Sequence, residues 1–568
     1  MRMKKYLIVV FNIILIGISI IIAKFLCNLL FNKLNVILVM LDIVGIITYI
    51  SFKHPCNILS FIKNNIKKII MLLLLEALCL WMCIYKSMTI SDHSIYLSFY
   101  FFIFSIIMTL IFWAFIALFV EQITYWKIYP MIGFVIGFVF LLCIPINIVP
   151  DEHAHLWSAY HLSNEILRTD QYDGKYIGGR ADDVNYPVKE RGYTLNDFED
   201  YLNEMTAPIK NTKIIKGVNY SLDTKDYLYY LPAIGITIGR ILGLGTIMTF
   251  LLGRLLNLIF FVVIISLAIS LASRGKMILF ALSLMPMTIQ QGMSFSYDVF
   301  VIAVSFFIIA MVTRILENKI SKYNFVVLLL ACLLLLPVKS YAYAPIALLP
   351  FAILISNKLN IKSILSLLAV GILIGLGFIA LIRLKIAPQF LLEKIGTIKY
   401  IEWAGHDSYS VLHFIQYPKD VIRVISATVY TLSDFYVESF IGNALGSFEY
   451  VLPYMNTCYT ILLTVAVFID KEGERVTNKQ WFIIMLMSLL NIIFIFTGLL
   501  FTWTPSTSYA ILGVQGRYFI PIGALILLFF NDKLSVNIDN SNENKYFVII
   551  IIILLAMATD SILVFMNR

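Results

Sequence analysis

The densest chemistry in the chain is the run Pro150-Asp151-Glu152-His153-Ala154-His155. It follows directly on an apolar stretch, so its two adjacent carboxylates stand at a membrane surface. If the run is helical, His155 lies one turn from Asp151 on the same face. Downstream, Arg240, Arg254, Asp298, Lys339 and Arg517 interrupt or flank apolar sequence. Ionisable groups in such places are costly and face a protein interior or a water-filled cavity. Helices of one bundle could gather these groups around a single outward-facing cavity. Two acids with several cations suit an anionic lipid headgroup held beside a hydroxyl that must be activated.

The same residues admit plainer roles. Pro150 followed by two acids also reads as a helix start, where carboxylates meet the positive end of the dipole. Arg240, Lys339 and Asp298 are close enough to water to snorkel or form structural ion pairs. Asp298, ahead of an apolar run, suits a helix cap as well as a ligand. In Gln515-Gly516-Arg517-Tyr518, Gly516 lets helices approach or shapes an anion site, and Tyr518 doubles as an interface aromatic. The segment around Trp403, His406, Asp407 and His413 suits sugar stacking and, equally, an amphipathic helix at the interface. No metal ligand is assigned. A divalent cation, were one bound, would use Asp151, His155 and Glu152, although no spacing demands it. The seven cysteines lie mostly in apolar runs without zinc spacing and read as packed thiols.

The elements that must position these residues follow from composition. Of 568 residues, 60% are hydrophobic and 14% charged, against roughly 25% charged in soluble domains. So few charges cannot coat several soluble domains, which excludes soluble, fibrous, disordered and nucleic-acid-binding classes. The net charge of +9 needs no nucleic acid, because cytoplasmic loops of membrane proteins collect Lys and Arg. With roughly 20 apolar residues per crossing, the pattern predicts an all-α polytopic integral membrane protein of about 15 transmembrane helices (13–15). The spans fall at 6–23, 34–52, 68–90, 95–120 and 128–149. They resume at 247–272, 277–293, 299–314, 324–337, 342–355 and 361–382, and again at 451–469, 481–502, 510–530 and 546–565.

The organisation is therefore about five N-terminal helices (1–149), an outward loop with the acidic motif and interfacial helices (150–245), central helices (246–382), a second outward loop (383–450) and C-terminal helices (451–568). The N-terminal Lys4-Lys5 before an apolar run, with no cleavage motif, reads as an uncleaved signal anchor. With the N-terminus cytoplasmic, the basic clusters around Lys67, Arg274, Lys319, Lys362 and Arg475 fall inside, and both long polar segments face outward. The expected location is the cell membrane, multi-pass, with the active face outward.

Several stretches in fixed order carry a family resemblance. They are Pro150-Asp-Glu-His-Ala-His155, Tyr230-Leu-Pro with Gly239-Arg240, Leu252-Gly-Arg254 with Asn257, and Leu284-Met-Pro286 with Gln291 and Ser294-Phe-Ser-Tyr-Asp298. Pro337-Val-Lys339 with Tyr343-Ala-Pro345, Phe440-Ile-Gly442 with Leu445-Gly446, and Val514-Gln-Gly-Arg-Tyr518 complete the set. Together they resemble a bacterial polytopic family catalogued as domain of unknown function 2142, over about residues 150–530. That family in turn resembles the GT-C glycosyltransferases, which use polyprenyl-phosphate sugars on the outer membrane face and carry an acidic residue in an outward loop. In most of them the loop follows the first span, whereas here it follows about the fifth.

The resemblance implies a GT-C-like bundle and a membrane glycosyltransferase that moves a sugar from a polyprenyl-phosphate donor to an envelope glycan. Its partners would be membrane lipid, the lipid-linked sugar and a glycan acceptor, with no nucleic acid. In that chemistry Asp151 is the general base, and Glu152 positions the acceptor or holds a cation. Arg254 and Arg517, with Lys339 behind them, hold the departing phosphate. His155, Asp298, Gln515 and Tyr518 complete the substrate-binding set. The competing classes are a transporter or flippase for a lipid-linked or anionic substrate, and a non-catalytic scaffold. A transporter calls for an internal repeat and midplane polar sites. The halves share no motif, and the inner-leaflet half reads as nearly free of ionisable residues. Nothing resembles a nucleotide-binding loop or a zincin motif.

Overall fold

A computed structural model of the chain describes residues 30–53, 66–67, 70, 94–121, 123–169, 176–189, 192–219, 226–356, 361–383, 388–448, 450–451, 454–469 and 476–534. Within them the backbone is overwhelmingly helical, and the strands form three separate two-stranded antiparallel ribbons. Five helices are long and apolar enough to cross a bilayer: Leu97–Leu118, Trp126–Cys143, Thr246–Leu271, Asp298–Leu316 and Asn478–Thr502. Shorter apolar helices include Tyr230–Ile241, Lys322–Leu335, Ala344–Ser356 and Met455–Ile469. At 1.5 Å per residue these reach roughly 18–23 Å, short of a ~30 Å hydrocarbon core. The chain is a helical membrane protein.

The pattern of about fifteen full spans is not reproduced among the described residues. The expected span 277–293 is two short helices, Lys276–Ser283 and Pro286–Gly292, because Pro286 cannot continue the helix before it. The span 128–149 stops at Cys143. Ile144 precedes Pro145 and is extended (φ −96°, ψ 109°), as steric conflict with a following proline ring dictates. The span 510–530 becomes α-helical only at Ile520, after a 3-10 turn over Gly516–Phe519. Conversely, the segment read as a second loop contains the 24-residue helix Pro418–Ile441. Pro418 suits its first turn, and Gly442 (φ 106°) ends it in the left-handed region. Expected spans 6–23, 546–565 and nearly all of 68–90 lie outside the described residues.

The chain divides into two compact units, residues 1–259 with 293–295 and 540–568, and residues 260–292 with 296–539. In the first, the helix Leu30–Lys53 packs on Ser94–Phe115, which packs on Tyr125–Cys143. Asp42, inside the first of these helices, accepts hydrogen bonds from the Thr109 hydroxyl (2.5 Å) and the Trp113 indole (3.1 Å). The helix Glu152–Leu167 packs along Tyr230–Ile241 and against the ribbon Tyr176–Arg180/Ile214–Asn219.

The second unit is built around Asp298–Leu316, buried along most of its length. Lys322–Leu335, Ala344–Ser356 and Ile520–Leu534 surround it, and Asn478–Thr502 packs on Ala344–Ser356. At the C-terminal end of the central helix, buried Arg274 pairs with Asp532 (2.7 Å) and Glu317 (3.8 Å). The Trp481 indole donates to Asp532 (2.7 Å). The sequence reading leaves this half nearly free of ionisable groups. They are tolerated because each charge meets its opposite.

Candidate functional site

Of the two adjacent acids, one is buried and one exposed. The Glu152 carboxylate and the Arg254 guanidinium both have 0% accessible side chains. Arg254 Nε donates to Glu152 Oε1 (2.8 Å), and its Nη2 donates to Oε2 (2.5 Å). The same guanidinium donates to the carbonyls of Ile144 (2.5 Å) and Pro145 (2.9 Å), which the proline-terminated helix leaves without helical partners. Glu152 also accepts the backbone N–H groups of Asn147 (3.0 Å) and Phe295 (3.2 Å). Arg254, expected as a phosphate ligand, is thus engaged with Glu152 and two carbonyls. The cation that Glu152 holds is Arg254.

This clamp fixes the residue beside it. Asp151 is exposed and sits in the left-handed region (φ 63°, ψ 5°), a conformation uncommon for a residue with a Cβ and worth about 1–3 kcal/mol of strain. Strain of this kind persists where neighbours over-determine it, and here Glu152 supplies the anchor. Asn147, on the other side of the turn, is also left-handed (φ 69°). His155 is buried, shares a 2.7 Å hydrogen bond through Nδ1 with the Tyr229 hydroxyl and stacks on that ring. His155, expected in the substrate-binding set, thus packs on Tyr229 one turn below Asp151. No group of three or more His, Cys, Asp or Glu side chains placed to hold a metal ion occurs among the described residues.

A second polar network in the same unit joins Arg240 to residues that the sequence reading did not single out. Arg180 binds Asp183 through Nε (2.7 Å) and Nη2 (3.0 Å) and reaches the Thr249 hydroxyl (3.0 Å) and the Leu244 carbonyl (3.0 Å). The Tyr160 hydroxyl donates to Asp183 (2.8 Å). Arg240 lies over the Tyr160 ring (4.6 Å) and donates to Ser163 (2.9 Å) and Asn164 (2.8 Å). Burial opposes the Arg180 charge, but Asp183 outweighs it and the guanidinium holds its proton more tightly than usual. Burial, with Asp183 behind it, pushes the Tyr160 phenol up. Arg240 thus anchors the helix Glu152–Leu167 to Tyr230–Ile241. The signal available in sequence was only Gly178-Gly179-Arg180, an arginine after two residues without side chains, and no periodicity marks it.

In the second unit, three of the expected residues meet. Lys339 Nζ lies 2.6 Å from Asp298 Oδ1, and Arg517 Nε lies 3.4 Å from Oδ2. Arg517 also donates to the Gln291 side-chain oxygen (3.1 Å). The ammonium of Lys339 stands 3.6 Å above the Tyr518 ring, and the Tyr343 hydroxyl donates to the Tyr518 carbonyl (3.0 Å). Two cations share one carboxylate, so the trio carries one net positive charge. Arg517 is 2% accessible and Asp298 5%, while Lys339 at 15% reaches outward. Asp298 is also the first residue of the central helix, whose positive dipole end adds to the field.

The backbone around the trio is built for these contacts. Lys339, Ser340 and Tyr341 are consecutive left-handed residues (φ 49°, 51° and 69°). Arg517 lies in the 3-10 turn rather than two turns into a span. Its neighbour Gly516 packs against the helix Pro418–Ile441, donating to Ser439 Oγ (2.7 Å). A Cβ there would strike the Tyr436 carbonyl and the Phe440 nitrogen. Gly516 therefore does serve close approach, and that approach places Arg517. Gln515 is half-buried, and its side-chain oxygen has no hydrogen-bond partner among the described residues. Gln291 entered the sequence reading only as a family motif residue, and its pairing with Arg517 across 226 positions has no local signature.

The family described as "predicted membrane protein (DUF2142)" matches residues 134–526, more than half of the chain, and the chain belongs to it. No curated protein and no solved structure matches the chain.

Proposed function

From that membership and the Asp298–Lys339–Arg517 trio, we propose that the chain is a GT-C-like membrane glycosyltransferase. It moves a sugar from a polyprenyl-phosphate donor to a glycan acceptor outside the cell membrane. The observation that carries the reading is the trio: a net positive, mostly buried group of side chains whose lysine reaches outward. A phosphate needs a fixed cationic partner of this kind, and Arg gives it directional donors while Lys gives a point charge. The orientation rests on the positive-inside rule, with Arg274, Lys276, Arg314 and Lys319 at the other end of the central helix facing the cytoplasm.

In the reaction, the acceptor hydroxyl oxygen attacks the anomeric carbon of the donor. The carbon–oxygen bond to phosphate breaks, its electron pair leaves on the phosphate oxygen, and the hydroxyl proton passes to a carboxylate base, the role that the sequence resemblance gives Asp151. Arg517 and Lys339 offset the charge gained by the phosphate. Glu152 and Arg254 position Asp151 and touch neither substrate.

The test compares envelope glycans by mass spectrometry in a deletion strain complemented with wild type or Asp151→Asn. The expected result is that one defined sugar disappears on deletion and returns only with wild type, both proteins being present in the membrane. Full restoration by Asp151→Asn would remove that residue from the chemistry and turn attention to transport.

A further inference from the structure

We propose that the exposed indoles of Trp403 and Trp503 form a docking platform for a carbohydrate chain. It takes the acceptor of the transfer reading above, on which this inference rests. The two rings lie side by side, centroids 5.8 Å apart and tilted by 34°, yet are 54% and 46% accessible. So much adjoining aromatic surface left open is unusual unless something covers it.

The platform is mounted rigidly. Trp403 sits in the turn of the ribbon Tyr400–Ile401/His406–Asp407. That ribbon is fastened to the segment after Trp503 by a bridge between Ser408 and Pro505. Ser506 N–H donates to the Asp407 carbonyl (2.8 Å), and the Tyr409 hydroxyl to the Ser508 carbonyl (2.9 Å). Trp503 packs over Gly513 (φ 81°), where a side chain would collide with the indole. Two rings a hundred positions apart are thereby held in one place before any ligand arrives, which lowers the ordering cost of binding.

The rim chooses the ligand. Glu402, His406 and Asp407 are exposed beside the rings, and their side chains have no hydrogen bond or ion pair among the described residues. The C–H face of a pyranose stacks on an aromatic ring, and its hydroxyls donate to carboxylates, which only accept. An anionic membrane surface recruits Lys and Arg instead, and two carboxylates at the rim disfavour it.

Position supports the same ligand. Trp481, near the start of Asn478–Thr502, binds Asp532 near the end of Ile520–Leu534. At the start of the second helix, next to Arg517, the first helix has reached Phe496, which stacks on Phe519 (5.7 Å). It runs on toward Thr502, so Trp503 stands about 10 Å further along at the same end. Platform and phosphate-binding trio stand at one end of the unit, as an acceptor chain and a donor headgroup require.

The test uses the full chain in nanodiscs and a panel of labelled linear oligosaccharides: a glucan, an N-acetylglucosamine polymer, a mannan and a galactan. At least one binds the wild type, and Trp403→Ala or Trp503→Ala weakens it about tenfold or more, as truncating an aromatic anchor does. Trp403→Phe retains part of the affinity, and Tyr323→Ala, at an exposed position on another helix, binds like wild type. Binding that persists while sugar transfer is absent would sink the transfer reading and leave the platform standing. The platform is overturned if no member of the panel binds, or if both alanine variants bind as wild type does. It is also overturned if brominated lipids quench the fluorescence that Trp403→Phe/Trp503→Phe removes, because the rings then lie in lipid.

Discussion

Replacing Glu152 by glutamine removes one charge and keeps the shape. The carboxylate takes Arg254 Nε and Phe295 N–H on one oxygen, and Arg254 Nη2 and Asn147 N–H on the other. Whichever way the substituted amide turned, its NH2 group would face two donors and leave both unsatisfied. Arg254 would also keep its charge at 0% exposure with no counter-ion in that pair. Removing one partner of a buried ion pair costs about 3–5 kcal/mol, and the orphaned donors place this case toward the upper part of that range. The measurement is reversible unfolding in mixed micelles for Glu152→Gln, Arg254→Met and the double variant. Each single variant is expected to lose about 3–5 kcal/mol. The double variant should lose less than their sum by at least about 2 kcal/mol, since it leaves no lone charge. Asp151→Asn, at an exposed position, should stay within about 0.5 kcal/mol of wild type. Additive losses at Glu152 and Arg254 would refute the clamp and the division of labour between the two acids.

Arg517→Ala should lower transfer by a factor of hundreds, about 3–4 kcal/mol if the contact resembles other oxyanion contacts; near-normal initial rates would take it out of the site. Gly516→Ala should reduce activity with Arg517 intact, because the turn must withdraw from Pro418–Ile441; wild-type rates would contradict that dependence. Ser340→Gly should raise stability by relieving a left-handed residue, worth roughly 1–2 kcal/mol, and should weaken phosphate binding as Lys339 gains freedom; unchanged stability would mean the turn is unstrained. A pH effect belongs to Asp197, whose carboxyl is lowered to about 2 by the Lys189 hydrogen bond and then by Thr194. Its contribution to holding Leu195–Met205 is complete above the ordinary carboxyl range near 3.8 and is lost as pH falls through about 2. Pepsin should therefore cut 189–205 in wild type only near the lower limit, and in Asp197→Asn already at the upper one; identical profiles would refute it.

What was legible in the sequence was legible for physical reasons. Long apolar runs announce bilayer crossings, and Asp298–Leu316 and Thr246–Leu271 fall within a few residues of their expected bounds. Prolines were readable in principle: Pro145 and Pro286 end helices that hydropathy alone carries through. Isolated charges in apolar sequence identified Asp298, Lys339 and Arg517, because a buried charge needs an opposite one somewhere. Which charges pair was not readable. Glu152 finds Arg254 at 102 positions' distance, and nothing local distinguishes it from Asp151. The Arg180–Asp183 group lay in polar sequence, where a charge raises no question. Trp403 and Trp503 were each visible, but their adjacency depends on a ribbon of two-residue strands too short to leave an alternating pattern.

The central helix Asp298–Leu316 is tied at both ends: Asp298 to Lys339 and Arg517, and Glu317, just past its last turn, to Arg274. Ile520–Leu534 is fastened to the same two groups through Arg517 and Asp532. A lengthwise slip of one helix past the other by a turn, about 5.4 Å, would break two buried charge networks at once. Piston-like motion of this pair is therefore resisted at both ends. The two helices behave as a strut of fixed length, and a ligand pulling on Lys339 moves loops and side chains around a stationary post.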